Sequence, residues 1–263
     1  MTRKKVEQDL KLQMAGWSGM YNCAAVNYCG ESTPLGRDAR GERLTEVVAR
    51  WVCDHFKDFS TGIAQIERDD KKSNRVKGRP YQTKSHAKIR TEGVSTASDM
   101  REEERDAQTL YIASESPLWA IGSILDYQVP LKNSKDDVAG KIDLLSLSND
   151  GRQLYILELK KQKSQETLLR CILEAYTYFK TIKNQKAFKQ SFIDGNPELV
   201  ICPLFYKGSQ PDKDRKGKNR YLRNLVRKIQ AEVPVKLMRI DKCGHMDDAK
   251  QWRIEEVDFE VGE

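Results

Sequence analysis

No apolar run in the 263-residue chain approaches the roughly 18 residues that a membrane span requires. Met1-Thr-Arg-Lys-Lys5 runs into Val-Glu-Gln-Asp and not into the apolar stretch of a secretory signal. A cytoplasmic protein without membrane contact is therefore expected. The six cysteines (Cys23, Cys29, Cys53, Cys171, Cys202, Cys243) lack regular spacing, and in a chain this long they read as reduced thiols. Internal repeats and low-complexity tracts are also missing, which removes repeat arrays from consideration. Hydrophobic residues make up only 38% of the chain, but they gather in runs such as Ile142 to Leu147 and Leu154 to Leu159. Such runs can fill a core, so disorder throughout is excluded.

What is present is segregated charge. Residues 71–90 hold eight Lys/Arg and no acid, and residues 207–230 hold nine Lys/Arg against Asp212 and Asp214. These segments carry +8 and +7; since the whole chain is +7, the remainder is −8. Positive charge concentrated in two places is the footprint of a polyanion, because each phosphate that is neutralised releases condensed counterions. One such segment alone is equally well read as a basic linker. Two point to nucleic acid.

Composition divides the chain near residue 95, giving an N-terminal accessory region (1–95) and a second domain (96–263). In the first, Leu44, Val47, Val48, Trp51, Val52 and Phe56 follow helical spacing and predict a helix over about 42–57. Loops are expected around it, the basic stretch 71–90 among them. In the second, a helix is expected over about 101–113, strands over 125–132, 141–147 and 154–160, and a Ser148-Asn-Asp-Gly151 hairpin turn between the last two. A long helix follows, opened by Ser164 and running through Leu169, Ile172, Leu173, Tyr176 and Phe179. Next come a strand covered on both faces (199–205), a basic loop (207–219), a helix (220–230) and short strands near 234–240 and 252–260. The order is α-β-β-β-α-β with additions, an α/β core with a mixed sheet.

The candidate chemistry sits in the hairpin. Residues two apart on a strand share a face, so Glu158 and Lys160 point the same way, and hairpin register brings Asp143 beside them. Apolar strands could have carried Leu or Val at these positions; buried carboxylates are costly without a compensating cation or hydrogen bonds. A divalent ion with oxygen ligands is the natural compensation, and Mg²⁺ typically takes one or two carboxylates with water and phosphate completing its shell. The bland alternative is an Asp143–Lys160 ion pair across the hairpin.

The segment GKIDLLSLSNDGRQLYILELKK (140–161) resembles the core of the PD-(D/E)XK nuclease superfamily, the restriction-endonuclease-like fold, with Ile142 in place of the proline. The resemblance covers about 101–206. It implies metal binding by Asp143, Glu158 and the main-chain carbonyl of Leu159, with Lys160 orienting the attacking water. It also implies a helix carboxylate, for which Glu104 is the candidate, flanked by Glu102 and Glu103, with Glu46 as the rival. Where some relatives carry Gln-x-x-x-Tyr, this chain has Arg170-x-x-x-Glu174 and then Tyr176. The implied reaction is Mg²⁺-dependent phosphodiester hydrolysis, with Mn²⁺ substituting. The substrate is nucleic acid, DNA before RNA, gripped by Lys161, Lys163, Arg170, Arg220, Arg223 and Arg227. A duplex cutter needs two active centres, as a homodimer would supply, or two visits.

Other signals weigh less. Cys53-Asp-His55 and Cys243-Gly-His245 lack the Cys-x₂₋₄-Cys period of structural zinc sites. His86 reads as solvated, Cys171 and Cys202 as core thiols, and Tyr176, Tyr178 and Phe179 as core. Two further classes remain: a catalytically inactive nucleic-acid-binding module on the same fold, and a subunit whose basic segments meet an acidic protein.

Overall fold

The computed structural model describes residues 43–63, 102–131, 140–182, 186–242 and 248–260, with shorter pieces at 7–8, 10, 20–22, 26, 75–76, 79–83, 86 and 88–90. Helices α1 (Leu44–Asp54) and α2 (Phe56–Gly62) come first, then a small antiparallel ladder of β1 (Arg75–Val76) and β2 (Arg79–Thr83). Helix α3 (Glu102–Ala113) leads into a six-stranded mixed sheet. Its strands are β3 (Ser123–Pro130), β4 (Lys141–Leu147), β5 (Gln153–Lys160), β6 (Glu198–Tyr206), β7 (Met238–Asp241) and β8 (Arg253–Glu256), in that spatial order. β3, β4 and β5 form an antiparallel meander. Helices α4 (Leu168–Ile182) and α5 (Lys186–Phe192) carry the chain across to β6, which lies parallel to β5. Helices α6 (Gln210–Lys216) and α7 (Arg220–Gln230) do the same between β6 and the parallel β7, and β8 closes the edge antiparallel.

The sheet separates two apolar cores. Alternation along β5 sends Leu154 and Ile156 into a cluster with α1, α4 and α7, while Tyr155, Leu157 and Leu159 join α3, Trp119 and Trp252 on the other face. β6 is buried on both sides from Leu199 to Tyr206, as its unalternating run predicts. The apolar stripe of α1 lies in the same buried cluster as the inner face of α7. None of the described helices is long and apolar enough to cross a membrane.

Several sequence expectations need correction. The helix expected over 42–57 breaks at His55, whose φ of −110° and ψ of 23° leave the helical region; its ring stacks on Trp51 at 4.3 Å. The loop expected over 207–219 contains α6, because Pro211 suits a first helical turn and both acids of the segment turn inward. Asp212 pairs with Arg215 at 2.7 Å, and Asp214 accepts the Leu168 N–H at 3.0 Å. That bond, with the Thr167 hydroxyl accepting from the Arg170 N–H, starts α4 at Leu168 and not at Ser164. His86 is half-buried, bonded through Nδ1 to Asp126 at 2.8 Å and packed at a tilt against the Tyr127 ring. Residues 71–74, 77–78, 84–85 and 87 of the basic stretch lie outside the described residues, as do Cys243 and His245; part of the stretch forms the β1–β2 ladder. The final strands are shorter than expected.

Glu46 has a structural task. Its carboxylate accepts the N–H groups of Tyr221 (2.8 Å) and Leu222 (3.1 Å), capping α7 from another helix where Asn219 gives no side-chain cap. Glu46→Ala is expected to lower unfolding free energy by about 1–2 kcal/mol, the usual cost of losing a helix cap. Urea denaturation measures this, and Glu46→Gln should lose less because it keeps an acceptor oxygen.

Candidate active site

A cleft of about 630 Å³ opens beside the ends of β4 and β5, where six carboxylates (Glu103, Glu104, Asp143, Glu158, Glu166, Glu174) face three cations (Lys141, Lys160, Arg170). The register Leu145↔Ile156, Leu144↔Leu157, continued by one residue, sets Asp143 across from Glu158. Parity then puts Asp143, Glu158 and Lys160 on the α4 face of the sheet. The carboxyl end of a strand parallel to its neighbour is where open α/β sheets leave a crevice, and β5 ends there with Lys160.

Asp143 is half-buried and held at both oxygens. Oδ1 accepts from Gln128 Nε2 and Oδ2 from the Leu159 N–H, each at 2.8 Å. Gln128 lies between the pairs Tyr127↔Leu144 and Val129↔Ile142, opposite Asp143, just past a bulge at Leu125. Its φ of 46° lies in the left-handed region that side chains other than glycine rarely adopt. Leu159 therefore gives this corner its backbone N–H, while its side chain joins the opposite core. Gly140 is small by necessity, since a Cβ there would sit 2.4 Å from the Tyr178 hydroxyl.

Lys160 is buried among acids. Its Nζ lies 2.6 Å from Glu158 Oε1, 2.9 Å from Glu174 Oε2 and 3.1 Å from Glu166 Oε2. Arg170 adds contacts of 3.3 Å to Glu166 and 3.6 Å to Glu174, and the Tyr178 hydroxyl donates to Glu174 at 3.0 Å. Glu158, only 4% exposed, keeps its Oε2 without a donor among the described residues. Burial, and then the Asp143 and Glu174 charges, push the Glu158 carboxyl well above its ordinary range. Burial likewise lifts Asp143 to about 7, against the pull of Lys160 and the Leu159 N–H. Burial would lower the Lys160 ammonium, but Glu158 and Glu174 outweigh it and hold the group well above its usual value. The neighbouring carboxylates thus favour the ammonium form of Lys160. At Glu174, burial is overcome by Lys160 and Arg170, leaving that carboxylate the more acidic of the coupled pair.

The other predicted residues are distributed as follows. Glu103 and Glu104 both line the cleft, and Glu103 accepts the Lys161 N–H at 3.1 Å and is the one whose charge reaches Asp143. Glu46, on the N-cap of α7, lies outside it. Lys161 and Lys163 are exposed on the turn after β5. Arg220, Arg223 and Arg227 line a separate cleft. Tyr176 is core, against Phe56 and Phe59, and bonds Glu232. Cys53 donates to the Tyr221 carbonyl at 3.7 Å. Gln128 and Glu166 are cleft residues that sequence reasoning missed; Glu174, visible in the Arg170-x-x-x-Glu174 spacing, gains its place in the cleft from the fold. A polar row at four-residue spacing, Glu166 just before α4 and then Arg170, Glu174 and Tyr178 along it, is the signal that marks Glu166 and Glu174.

Among the described residues no three His, Cys, Asp or Glu side chains are arranged to hold a metal ion. The donor set that does fit an ion is smaller: two carboxylates, one with an orphaned buried oxygen, in a cleft of excess negative charge. That oxygen is satisfied either by taking up a proton or by a cation. Comparison of the chain with protein-family models, with curated proteins and with solved structures finds no match.

The raised Asp143 fixes a sign. The folded state keeps this proton to about 7, whereas the unfolded chain releases it in the ordinary carboxylate range. The folded state therefore binds more protons across that window, and stability falls as pH rises through it. In chelator, the unfolding free energy from urea denaturation is expected to drop between pH of about 5 and 8 by on the order of 2–4 kcal/mol. Asp143→Asn should flatten that part of the profile.

Proposed function

We propose that the protein is a divalent-metal-dependent nuclease that hydrolyses phosphodiester bonds of nucleic acid, DNA before RNA, in a restriction, defence or repair setting. The observation that carries this reading is the convergence of Asp143, Glu158 and Lys160 on one cleft, with Glu158 Oε2 buried and unpartnered. The element order α3-β3-β4-β5-α4-α5-β6, an antiparallel meander followed by a parallel strand, suits the restriction-endonuclease-like fold that the Gly140–Lys161 segment resembles.

In this reading Asp143 and Glu158 hold Mg²⁺ or Mn²⁺, with the Leu159 carbonyl as a further ligand. Gln128 and the Leu159 N–H fix Asp143 before the ion arrives, which limits reorganisation. Once bound, the ion supplies a more acidic water and neutralises phosphate charge. Lys160, an ammonium beside Glu158, orients the water and offsets charge growing on the phosphate. Glu174 and Arg170 keep Lys160 in place. Glu103 or Glu104 serves as the helix carboxylate. Hydrolysis leaves 5′-phosphate and 3′-hydroxyl ends.

A second reading has its own observation. Lys160 already touches three carboxylates, so the acidic cleft is partly compensated without metal, as a non-catalytic nucleic-acid-binding module on this fold would be. Cleavage and metal binding separate the two. Asp143→Asn and Glu158→Gln are each expected to cut Mg²⁺-dependent cleavage of mixed DNA and RNA substrates at least about 100-fold, the scale of losing one preorganised electrostatic group. Undiminished cleavage in both variants refutes the site. Mn²⁺ should also raise the thermal midpoint of the wild type, more at alkaline than at acidic pH, and of neither variant. No shift in the wild type, with nucleic-acid binding intact in chelator, favours the inactive module.

A further inference from the structure

A second cleft, of about 420 Å³, is lined by Lys218, Arg220, Arg223, Asn224 and Arg227 and, among the described residues, by no carboxylate. Its four cations form no ion pair among the described residues, whereas Lys160, Arg170, Lys180, Arg215, Arg239 and Lys242 all do. Arg223 is half-buried over the Phe259 ring at 5.6 Å, and its guanidinium donates to the carbonyls of Gly217 (3.1 Å) and Glu260. Neutral carbonyls hold the fork without cancelling its charge, and its Nε is buried with no acceptor. Arg227 is steadied by Asn224 Oδ1 at 3.3 Å. Concave positive charge, held in part by Arg223 and Arg227 and without an ion-pair partner among the described residues, suits an anion.

Two further observations select the anion. From Arg220 to Arg227 the cations run along α7 for about 10 Å at 1.5 Å per residue, longer than one phosphate group and suited to successive phosphates of a strand. A chain of bonds also ties this cleft to the acidic one. Asn219, between Lys218 and Arg220, donates to the Asp214 carbonyl at 2.6 Å, and the Asp214 carboxylate accepts the Leu168 N–H at 3.0 Å. Leu168 opens α4 between Glu166 and Arg170, which enter the acidic cleft. The two clefts are thus joined through Asn219, Asp214 and the start of α4. The acidic cleft, with six carboxylates against three cations, repels phosphate unless an ion is bound, so affinity for a polyanion must come from elsewhere.

We propose that the Lys218–Arg227 cleft is a metal-independent anchor for the phosphodiester backbone of nucleic acid, held at a fixed offset from the acidic cleft. The proposal deepens the nuclease reading and rests on it for the purpose of the anchor, not for its existence. The test uses the full chain with Lys218→Gln, Arg220→Gln and Arg227→Gln combined, leaving Arg223 to its carbonyl partners. Binding of fluorescently labelled single- and double-stranded oligonucleotides is followed by anisotropy in chelator across a salt series. The expected result is at least about a 10-fold loss of affinity near 0.1 M salt and a fall of about 2–3 in the log–log salt slope. A variant with Arg220→Lys and Arg227→Lys should keep most of the binding, which separates lost charge from lost folding. Unchanged affinity and slope in the triple variant overturn the proposal. So does displacement by inorganic phosphate through these residues with oligonucleotide affinity untouched, or binding of polyglutamate where no oligonucleotide binds. Because the assay contains chelator, its failure leaves the Asp143 and Glu158 cleavage results standing, and their failure leaves it intact.

Discussion

Negative charge crowded into a half-dry corner governs this molecule. Glu158 and Glu174 share Lys160 below solvent, Asp143 stands beside them, and the carboxylates outnumber their cations. Among the described residues the repulsion is not fully relieved: burial lifts the Asp143 and Glu158 carboxyls above their ordinary range, and one Glu158 oxygen has no donor there. A fold keeps so unfavourable an arrangement only where surrounding structure over-determines it. Here the Gln128 amide, the Leu159 N–H, Arg170 and the Tyr178 hydroxyl do so from two strands and a helix.

The fold delivers these groups through its one switch from antiparallel to parallel pairing. The meander β3–β4–β5 fixes register, so Asp143 and Glu158 meet by strand pairing alone. The crossover to β6 then lays α4 across the same face, and its row Arg170, Glu174, Tyr178 looks down on the strand ends. Buried acids act as fasteners between elements: Asp214 holds the start of α4, and Glu46 the start of α7. Both exploit the unsatisfied N–H groups and positive end of a helix.

Charge is sorted with similar economy. Asp212 and Asp214, the two acids of the basic segment 207–230, are buried, Asp212 matched to Arg215 and Asp214 to backbone and amide donors. Their removal from the surface leaves the cations of the Lys218–Arg227 cleft unopposed. One stretch of sequence therefore provides both an internal ion pair and an external basic face, and net charge per segment conceals the division.

The hairpin and its chemistry were legible in the sequence because β periodicity and a Ser-Asn-Asp-Gly turn determine which side chains share a face. Local rules of this kind gave the element order, strand β4 to the residue, and the neighbourhood of Asp143, Glu158 and Lys160. They could not give Gln128, whose left-handed φ is imposed by a neighbouring bulge, nor Glu166 and Glu174, which matter only once α4 crosses β5. They put Glu104 ahead of Glu46 as the helix carboxylate; tertiary contact sends Glu46 to the end of α7 and brings Glu103 and Glu104 to the cleft. Pairing along a strand is a short-range property of the chain. Which distant helix end a carboxylate satisfies, and which cations stay unpaired, depends on contacts between residues far apart in sequence, and only the folded structure decides them.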